Sequence, residues 1–328
     1  PLYNKAISGA YPPGSTFKMV VALAALEAGE ISPQETVWCP GFMNLGNRRF
    51  HCWRRGGHGH VALKQSLKFS CDVYFYEVAK RVGIDKITEM ANRLGLGIRP
   101  DLPLPAVSGG LTPTKTWKKI NRDESWLVGD TLNSGIGQGF VLASPLQLSL
   151  MTARIASGKA VLPRLLRKRA GAPDFIEEAP KLDISQASLD MVRGGMFAVS
   201  NENRGTAYRS RIVAEGMQMA GKTGTSQVRQ ITAAERAAGV TRNADLPWER
   251  RDHALFVAFA PVAAPKFAIS VIVEHGGGGS VAAAPIARDI MLEALYGGTP
   301  PLAAYPRGQR NRIETERETL PKQGEDLP

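Results

Sequence analysis

A chain of 328 residues suits one large domain or two modest ones, and 43% apolar residues with eleven Phe and five Trp suffice for a folded core rather than a disordered chain. No run of eighteen apolar residues occurs, so no segment reads as a membrane-spanning helix. The formal net charge of +11, from 41 basic and 30 acidic residues, favours anionic partners. The basic residues are scattered, however (Arg49, Arg54-Arg55, Lys118-Lys119, Arg164, Arg167-Lys168-Arg169, Arg250-Arg251), and no nucleic-acid motif accompanies them. Nucleic acid is therefore not expected as a partner, which leaves an ordinary charged surface or attraction to an anionic lipid or polymer.

The start Pro1-Leu2-Tyr3-Asn4-Lys5 has no Met and no signal-peptide pattern, so the chain is expected to be a fragment of a longer protein. Residues 15–28 are apolar almost all round and predict a buried central helix, opened by Pro12-Pro13-Gly14 and ended by Gly29. Residues 61–82 predict a second helical region and Pro145–Ala156 another. A strand is expected within 214–228, carrying Lys222-Thr223-Gly224 at its end. Gln227–Asp252 reads as a long polar loop. Ala254–Ala260 and Phe267–Glu274 read as adjacent strands, and Pro285–Tyr296 as a closing helix. Gly276–Gly279 lacks the Lys-Ser/Thr of a phosphate loop and predicts a strand-to-helix turn. This order indicates an α+β fold, an antiparallel sheet packed between helices, over residues 1–297. Residues 298–328 form a Pro-, Arg- and Glu-rich tail, expected to be disordered from about Ala304 onward.

Three short motifs carry chemistry: Ser15-Thr16-Phe17-Lys18, Ser70-Cys71-Asp72 and Lys222-Thr223-Gly224-Thr225. Each alone is weak, but the Ser-x-x-Lys tetrad occurs once in the chain and the other two follow in order. Ser15 is the expected nucleophile and needs a base within hydrogen-bond reach. Lys18 lies three residues on, on the same helix face. Its amine would be lowered in pKa by burial and by a second cation, Lys222. None of the five His has a triad-like setting. Gly224 would let an extended peptide approach as an added strand, and Thr223, Thr225 and Lys222 suit a terminal carboxylate.

All three Cys fall in one window. Cys39, Cys52, His58 and Cys71 give Cys-x12-Cys-x5-His-x12-Cys, a full tetrahedral donor set for a structural Zn²⁺ within a segment 38–71. A disulfide with one free Cys, or three buried thiols, are the alternatives; the odd count speaks against a complete disulfide framework. His51, His60 and His275 are weaker ligand candidates.

Residues 6–18 resemble the active-serine region of class B penicillin-binding proteins. Residues 70–76 (Ser-Cys-Asp-Val-Tyr-Phe-Tyr), 135–139 (Gly-Ile-Gly-Gln-Gly) and 221–226 (Gly-Lys-Thr-Gly-Thr-Ser) are similar to the rod-elongation type, penicillin-binding protein 2. The similarity runs from residue 1 to roughly residue 296. It implies the penicillin-binding protein/serine β-lactamase-like transpeptidase fold, with an all-helical lobe beside the sheet. It also implies a peptidoglycan D,D-transpeptidase that forms an acyl-enzyme at Ser15 on stem peptides ending in D-Ala-D-Ala, and that β-lactam antibiotics acylate. By the same resemblance Ser70 bridges the two lysines and passes a proton to the leaving amine, and the N–H groups of Ser15 and Thr225 form the oxyanion hole. Asp72 stands where most of the superfamily has Asn, as in the elongation type, and can pair with Lys18. Some members hold a metal at the Cys/His positions, using Asp where this chain has Cys39 and Cys52.

The implied partners are a SEDS-family glycosyltransferase and elongation-complex scaffold proteins. The implied place is the periplasm, behind an upstream membrane anchor and a non-catalytic domain. Two other functions carry the same motifs. A class A serine β-lactamase needs Glu-x-x-Leu-Asn, but Gly129 stands four residues before Asn133 in Leu132-Asn133. A non-catalytic β-lactam sensor would differ only in turnover.

Overall fold

A short helix α1 (Lys5–Ser8) leads to a 3-10 turn at Gly14–Phe17, which runs straight into α2 (Lys18–Glu27). The structure, a computed structural model, describes residues 3–166, 178–229 and 231–319. Lys18 through Ala25 are all buried, so α2 is a central helix with no solvent face, as its unbroken apolar run predicts. Two small antiparallel ribbons follow. Strand β1 (Val37–Cys39) pairs with β4 (Gly59–Val61), and β2 (Phe42–Leu45) pairs with β3 (Arg48–His51).

The expected helical region 61–82 is two helices, α3 (Leu63–Phe69) and α4 (Asp72–Val82), broken at Ser70. Four more follow: α5 (Ile84–Arg93), α6 (Lys115–Arg122), α7 (Val128–Gly135) and α8 (Pro145–Ser157). Helix α8 starts where predicted because Ser144 accepts from the Gln147 N–H while the Gln147 side chain returns to the Ser144 N–H, with Pro145 at the first helical position. Helices α2, α4, α5 and α7 pack on one another as the helical lobe. Helix α9 (Gln186–Asn201) then leads to the sheet.

The sheet has three antiparallel strands in the order β5–β6–β7: β5 (Ala220–Ser226), β6 (His253–Ala260) and β7 (Phe267–Val273). Lys222 faces Val257 and Thr225 faces Ala254 across the first pair. Strand β6 is buried on both faces, and its alternation divides the core. Leu255, Val257 and Phe259 join the cluster built from α2, α4, α8 and α9. Ala254, Phe256, Ala258 and Ala260 join a second cluster under α11 (Ala283–Tyr296). Each fully buried large side chain here contributes about 1.5–3 kcal/mol, so a slip of β6 by one residue would exchange both cores at once.

Two expectations are corrected. Residues 227–252 are not a plain loop: they contain α10 (Ala233–Ala238) and 3-10 turns at Asn243–Asp245 and Trp248–Arg250. The segment 298–319, expected to begin a disordered tail, is ordered. It forms 3-10 turns at Leu302–Ala304 and Arg307–Gln309, then α12 (Arg310–Thr319). Ala304, Tyr305 and Ile313 are buried in the second cluster, and Arg288 on α11 lies 4.9 Å from the Tyr305 ring centre. Few but well-placed apolar anchors suffice because a buried arginine stem and a tyrosine ring meet there. The expectation for 320–328 lies outside the described residues.

Replacing Tyr305 by Ala is expected to lower the unfolding free energy by about 3 kcal/mol, the scale of a buried aromatic deletion. Urea denaturation checks this; a change within about 0.5 kcal/mol would match a solvated tail instead.

Candidate active site

The break between α3 and α4 sets the second motif. Ser70 caps α3 in a left-handed conformation, φ 54°, its N–H returning to Leu67 and Ser66 carbonyls. For a residue with a Cβ this costs on the order of 1 kcal/mol. It turns the Ser70 carbonyl and hydroxyl toward α2, and Asp72 then opens α4.

The first motif is set by glycine. Gly14 has φ +53°, and a Cβ there would lie 2.4 Å from the Thr225 carbonyl oxygen. Its N–H donates to the Gly137 carbonyl at 2.8 Å, and a Cβ on Gly137 would lie 2.1 Å from the Gly14 oxygen. The serine turn is thus wedged between β5 and the 135–139 segment, which brings Ser15 beside Thr225. Gly224 serves the same packing: a Cβ there would meet Thr16 Cγ2 at 3.0 Å and Leu255 Cβ at 3.1 Å. The space it leaves accommodates the serine turn, a different reason from the substrate approach expected above.

Lys18 and Lys222 are both fully buried. Lys18 Nζ donates to Asp72 Oδ1 at 2.7 Å, to the Ser70 carbonyl at 2.9 Å and to Ser70 Oγ at 3.3 Å. Lys222 Nζ is 2.9 Å from the same Ser70 Oγ and 3.0 Å from the Thr223 carbonyl. One hydroxyl therefore bridges both amines, as expected. Burial, and then the charge of Lys18, hold the Lys222 amine well below its ordinary value, while Asp72 pulls the other way. Burial pushes the Asp72 carboxyl up, against the opposing charge of Lys18.

Ser15, Ser70, Asp72, Thr223, Gly224 and Thr225 line one cavity of about 780 Å³. Three further residues complete its wall without a signal strong enough to single them out in the sequence. The Thr206 and Thr223 hydroxyls are 2.8 Å apart. Gln138 Nε2 donates to the Thr225 carbonyl at 3.0 Å; it lies in the Gly-x-Gly-x-Gly stretch already noted, with no role attached. The Trp53 N–H donates to Asp72 Oδ2 at 2.8 Å, and its indole N–H to the Ser70 carbonyl at 3.1 Å. Gly129 is not part of this wall and packs towards Phe50.

Beside the second motif, Cys39, Cys52, His58 and Cys71 bring their ligand atoms within 4.8 Å of one another. All three Cys are free thiols and buried, so no disulfide competes for them. His58 Nδ1 is 3.7 Å from Cys39 Sγ and 3.5 Å from Cys52 Sγ, close to the roughly 3.6 Å edge that Zn–S and Zn–N bonds give a tetrahedron. Its buried Nε2 has no hydrogen-bond partner among the described residues. A hydrogen bond from Cys71 draws the Cys39 thiol down to about 6, helped by His58 against the effect of burial. The donor set fits a four-coordinate metal with no open position. The cluster also touches the active site: the Asp72 N–H donates to Cys52 Sγ at 3.4 Å.

The chain belongs to the penicillin-binding protein transpeptidase domain family, whose model matches residues 1–292. It is 36% identical over 330 residues to the peptidoglycan D,D-transpeptidase MrdA of Haemophilus influenzae, covering 98% of this chain and 50% of that one. Among solved structures, Pseudomonas aeruginosa PBP2 in complex with WCK 5153 superposes with a TM-score of 0.78 at 36% identity, covering 93% of this chain and 66% of that one. PBP2 of Helicobacter pylori in complex with MreC gives 0.78 at 34% identity, covering 90% of this chain and 51% of that one. The chain thus spans about half the length of the curated relative it matches. Among the described residues no helix is long and apolar enough to cross a membrane.

The Lys222 shift has a thermodynamic sign. Between its lowered folded value and the ordinary 10.5, the unfolded chain holds a proton that the folded chain has lost, so stability rises with pH across that window. Relative to Lys222→Met, the wild-type protein is expected to gain stability from neutral pH towards about pH 9.5. Denaturation of both proteins across that range measures the gap, and a constant gap would mean that Lys222 keeps an ordinary proton affinity.

Proposed function

We propose that this domain is a peptidoglycan D,D-transpeptidase of lateral cell-wall elongation. Its acyl donor is a stem peptide ending in D-Ala-D-Ala. Ser15 Oγ attacks the penultimate carbonyl, and its proton passes to the lysine pair through Lys18. Ser70, hydrogen-bonded to both amines, delivers a proton to the departing D-Ala amine. An amine of a neighbouring stem peptide then resolves the ester and regenerates Ser15. Thr223, Thr225 and Lys222 take the terminal carboxylate, and the N–H groups of Ser15 and Thr225 stabilise the oxyanion, a contribution of about 3 kcal/mol per donor in comparable sites.

The observation that carries this reading is that Ser70, whose hydroxyl bridges two buried lysines, lines the same cavity as Ser15. β-Lactams are expected to acylate Ser15 by the same route. The class A β-lactamase reading is weaker because Gly129 stands where that class has the Glu for hydrolysing the acyl-enzyme. The PBP2–MreC complex from Helicobacter pylori supports a scaffold partner of that kind here, and a SEDS-family glycosyltransferase is the partner its resemblance implies. The same resemblance supports a periplasmic setting at the inner membrane. Cys39, Cys52, His58 and Cys71 are proposed to hold one structural Zn²⁺, which would neutralise the thiolates and fix the segment that carries Cys52 and Trp53 against Asp72.

Ser15→Ala is expected to gain no penicilloyl mass, while the wild-type protein gains one group that persists for hours. Intact-mass spectrometry reads both; labelling of the variant would remove Ser15 as nucleophile, and recovery of free wild-type enzyme within seconds would favour a β-lactamase. Protein purified without chelator is expected to contain about one Zn per chain. Stripping it is expected to lower the melting temperature and slow acylation together, because the metal binds the folded state only. Elemental analysis near zero would end the metal assignment and leave the acyl-transfer reading standing.

A further inference from the structure

The turn between β7 and α11 is held by a side chain outside the three motifs. His253 opens β6, facing Ser226 at the end of β5, and its Nδ1 accepts the His275 N–H at 2.9 Å. His275 Nδ1 donates to the Arg251 carbonyl at 3.0 Å, since a carbonyl can only accept. The Gly277 N–H then donates to the Asp252 carbonyl at 2.8 Å. His275 itself has φ 54°, a left-handed conformation that a residue with a Cβ adopts at a cost. The bond from its N–H to His253 is among the contacts that offset this cost.

The turn matters because of what it meets. Gly278, Gly279 and Ser280 form part of the cavity wall shared with Ser15. A Cβ on Gly279 would lie 2.4 Å from the Gly224 carbonyl oxygen and 2.2 Å from that of Leu255. The turn is therefore in direct backbone contact with the third motif, between Thr223 and Thr225. Contacts packed this closely have no slack, so a small shift of the turn is felt at Gly224.

The His253 link works in one protonation state only. A backbone N–H can only donate, so Nδ1 must carry no proton and the imidazole must be neutral. A proton added at Nδ1 would set two N–H groups against each other. The charges around the ring are mixed: Lys5 on α1 and His275 after β7 are basic, while Glu274 and Asp252 are acidic. Both carboxylates have partners of their own, Glu274 in Lys5 and the Tyr11 hydroxyl, Asp252 in the Val228 N–H and Asn243. The Tyr11 ring meets His253 edge-on at 5.6 Å. Burial, and then the charge of His275, hold the His253 imidazole below its ordinary 6.5, against Glu274 and Asp252. We propose that His253 is a positioning residue for acyl transfer at Ser15: the neutral ring holds the 275–279 turn against Gly224, and its protonation frees the turn and slows the reaction. The proposal rests on the acyl-transfer reading and adds a residue that governs its pH dependence.

The test uses the whole chain and two variants. His253→Asn keeps an acceptor oxygen for the His275 N–H but takes up no proton; His253→Ala keeps neither. Acylation of Ser15 by a penicillin is timed by intact mass from about pH 7.5 to about pH 5, across the ordinary histidine range. Dividing the wild-type rate by the His253→Asn rate cancels the titrations that the two proteins share. The ratio is expected to stand near one at the upper end and to fall about fivefold at the lower, the scale of one lost hydrogen bond. His253→Ala is expected to be slower by about the same factor at every pH. A ratio that stays flat overturns the proposal, and so does a wild-type rate in His253→Ala. Amide hydrogen exchange of the wild-type protein needs no variant to fold. Protection of the 275–279 amides, corrected for intrinsic exchange, is expected to drop over the same pH range, and unchanged protection overturns the proposal. Wild-type Ser15 left unlabelled at every pH would instead overturn the reading beneath it.

Discussion

Two ammonium-bearing side chains buried within hydrogen-bond distance of one hydroxyl are the constraint on which the rest of the structure depends. Lys18 and Lys222 come from a helix and a strand 204 positions apart in sequence, and both are fully buried. Taking two such charges from water costs several kcal/mol per ion unless they are compensated. The compensation is local. Asp72 provides one negative charge, the Ser70 and Thr223 carbonyls provide dipoles, and Lys222 yields proton affinity for the remainder. Neutral Asn at position 72 would leave the pair without a counter-charge, which gives a physical reason for Asp here. The same carboxylate is also held by the Trp53 N–H, so it is less available to a substrate amide than Asn would be.

That requirement explains why the small ribbon segment lies where it does. Trp53 and Cys52 reach the second motif through three hydrogen bonds, to Asp72 Oδ2, from the Asp72 N–H and to the Ser70 carbonyl. A segment of three- and four-residue strands has too little apolar area to fix such contacts alone. The Cys/His cluster ties β1, the loop after β3 and the α3–α4 break into one point. The strained Ser70 conformation is then supported from two sides, by α2 through Lys18 and by the ribbon through Trp53.

Much of this was legible in the sequence, and the reasons differ by residue. Helix α2, strands β6 and β7 and helix α8 were readable because burial on all sides, strand alternation and a capping box each leave a local mark. The three motifs were readable because their chemistry needs fixed residue types at fixed spacing. The break at Ser70 was not, since helical propensity runs on through 61–82 and only the tertiary pull of Lys18 on the Ser70 carbonyl rewards the left-handed turn. Thr206 and Trp53 were invisible because their partners are distant in sequence. The order of 302–319 leaves no local mark for a related reason: Tyr305 and Ile313 look isolated in a polar stretch, and only the apolar cluster that β6 and α11 form turns them into anchors.

The two walls of the active-site cavity therefore have different physical characters. One is β5, fully paired to β6 and backed by both hydrophobic clusters, so the lysine pair and the serine turn are held to a rigid frame. The other is made of a polar loop and short helix, positioned by Arg229–Glu235, Arg242–Asp245 and Asp252–Asn243 contacts, and of the ribbon, which Phe50 anchors in the first hydrophobic cluster. The exposed Arg242–Asp245 pair contributes about 1 kcal/mol or less. Chemistry that depends on distances of a few tenths of an ångström belongs on the first wall. Selection among peptides, which depends on charge felt over several ångströms, can reside on the second.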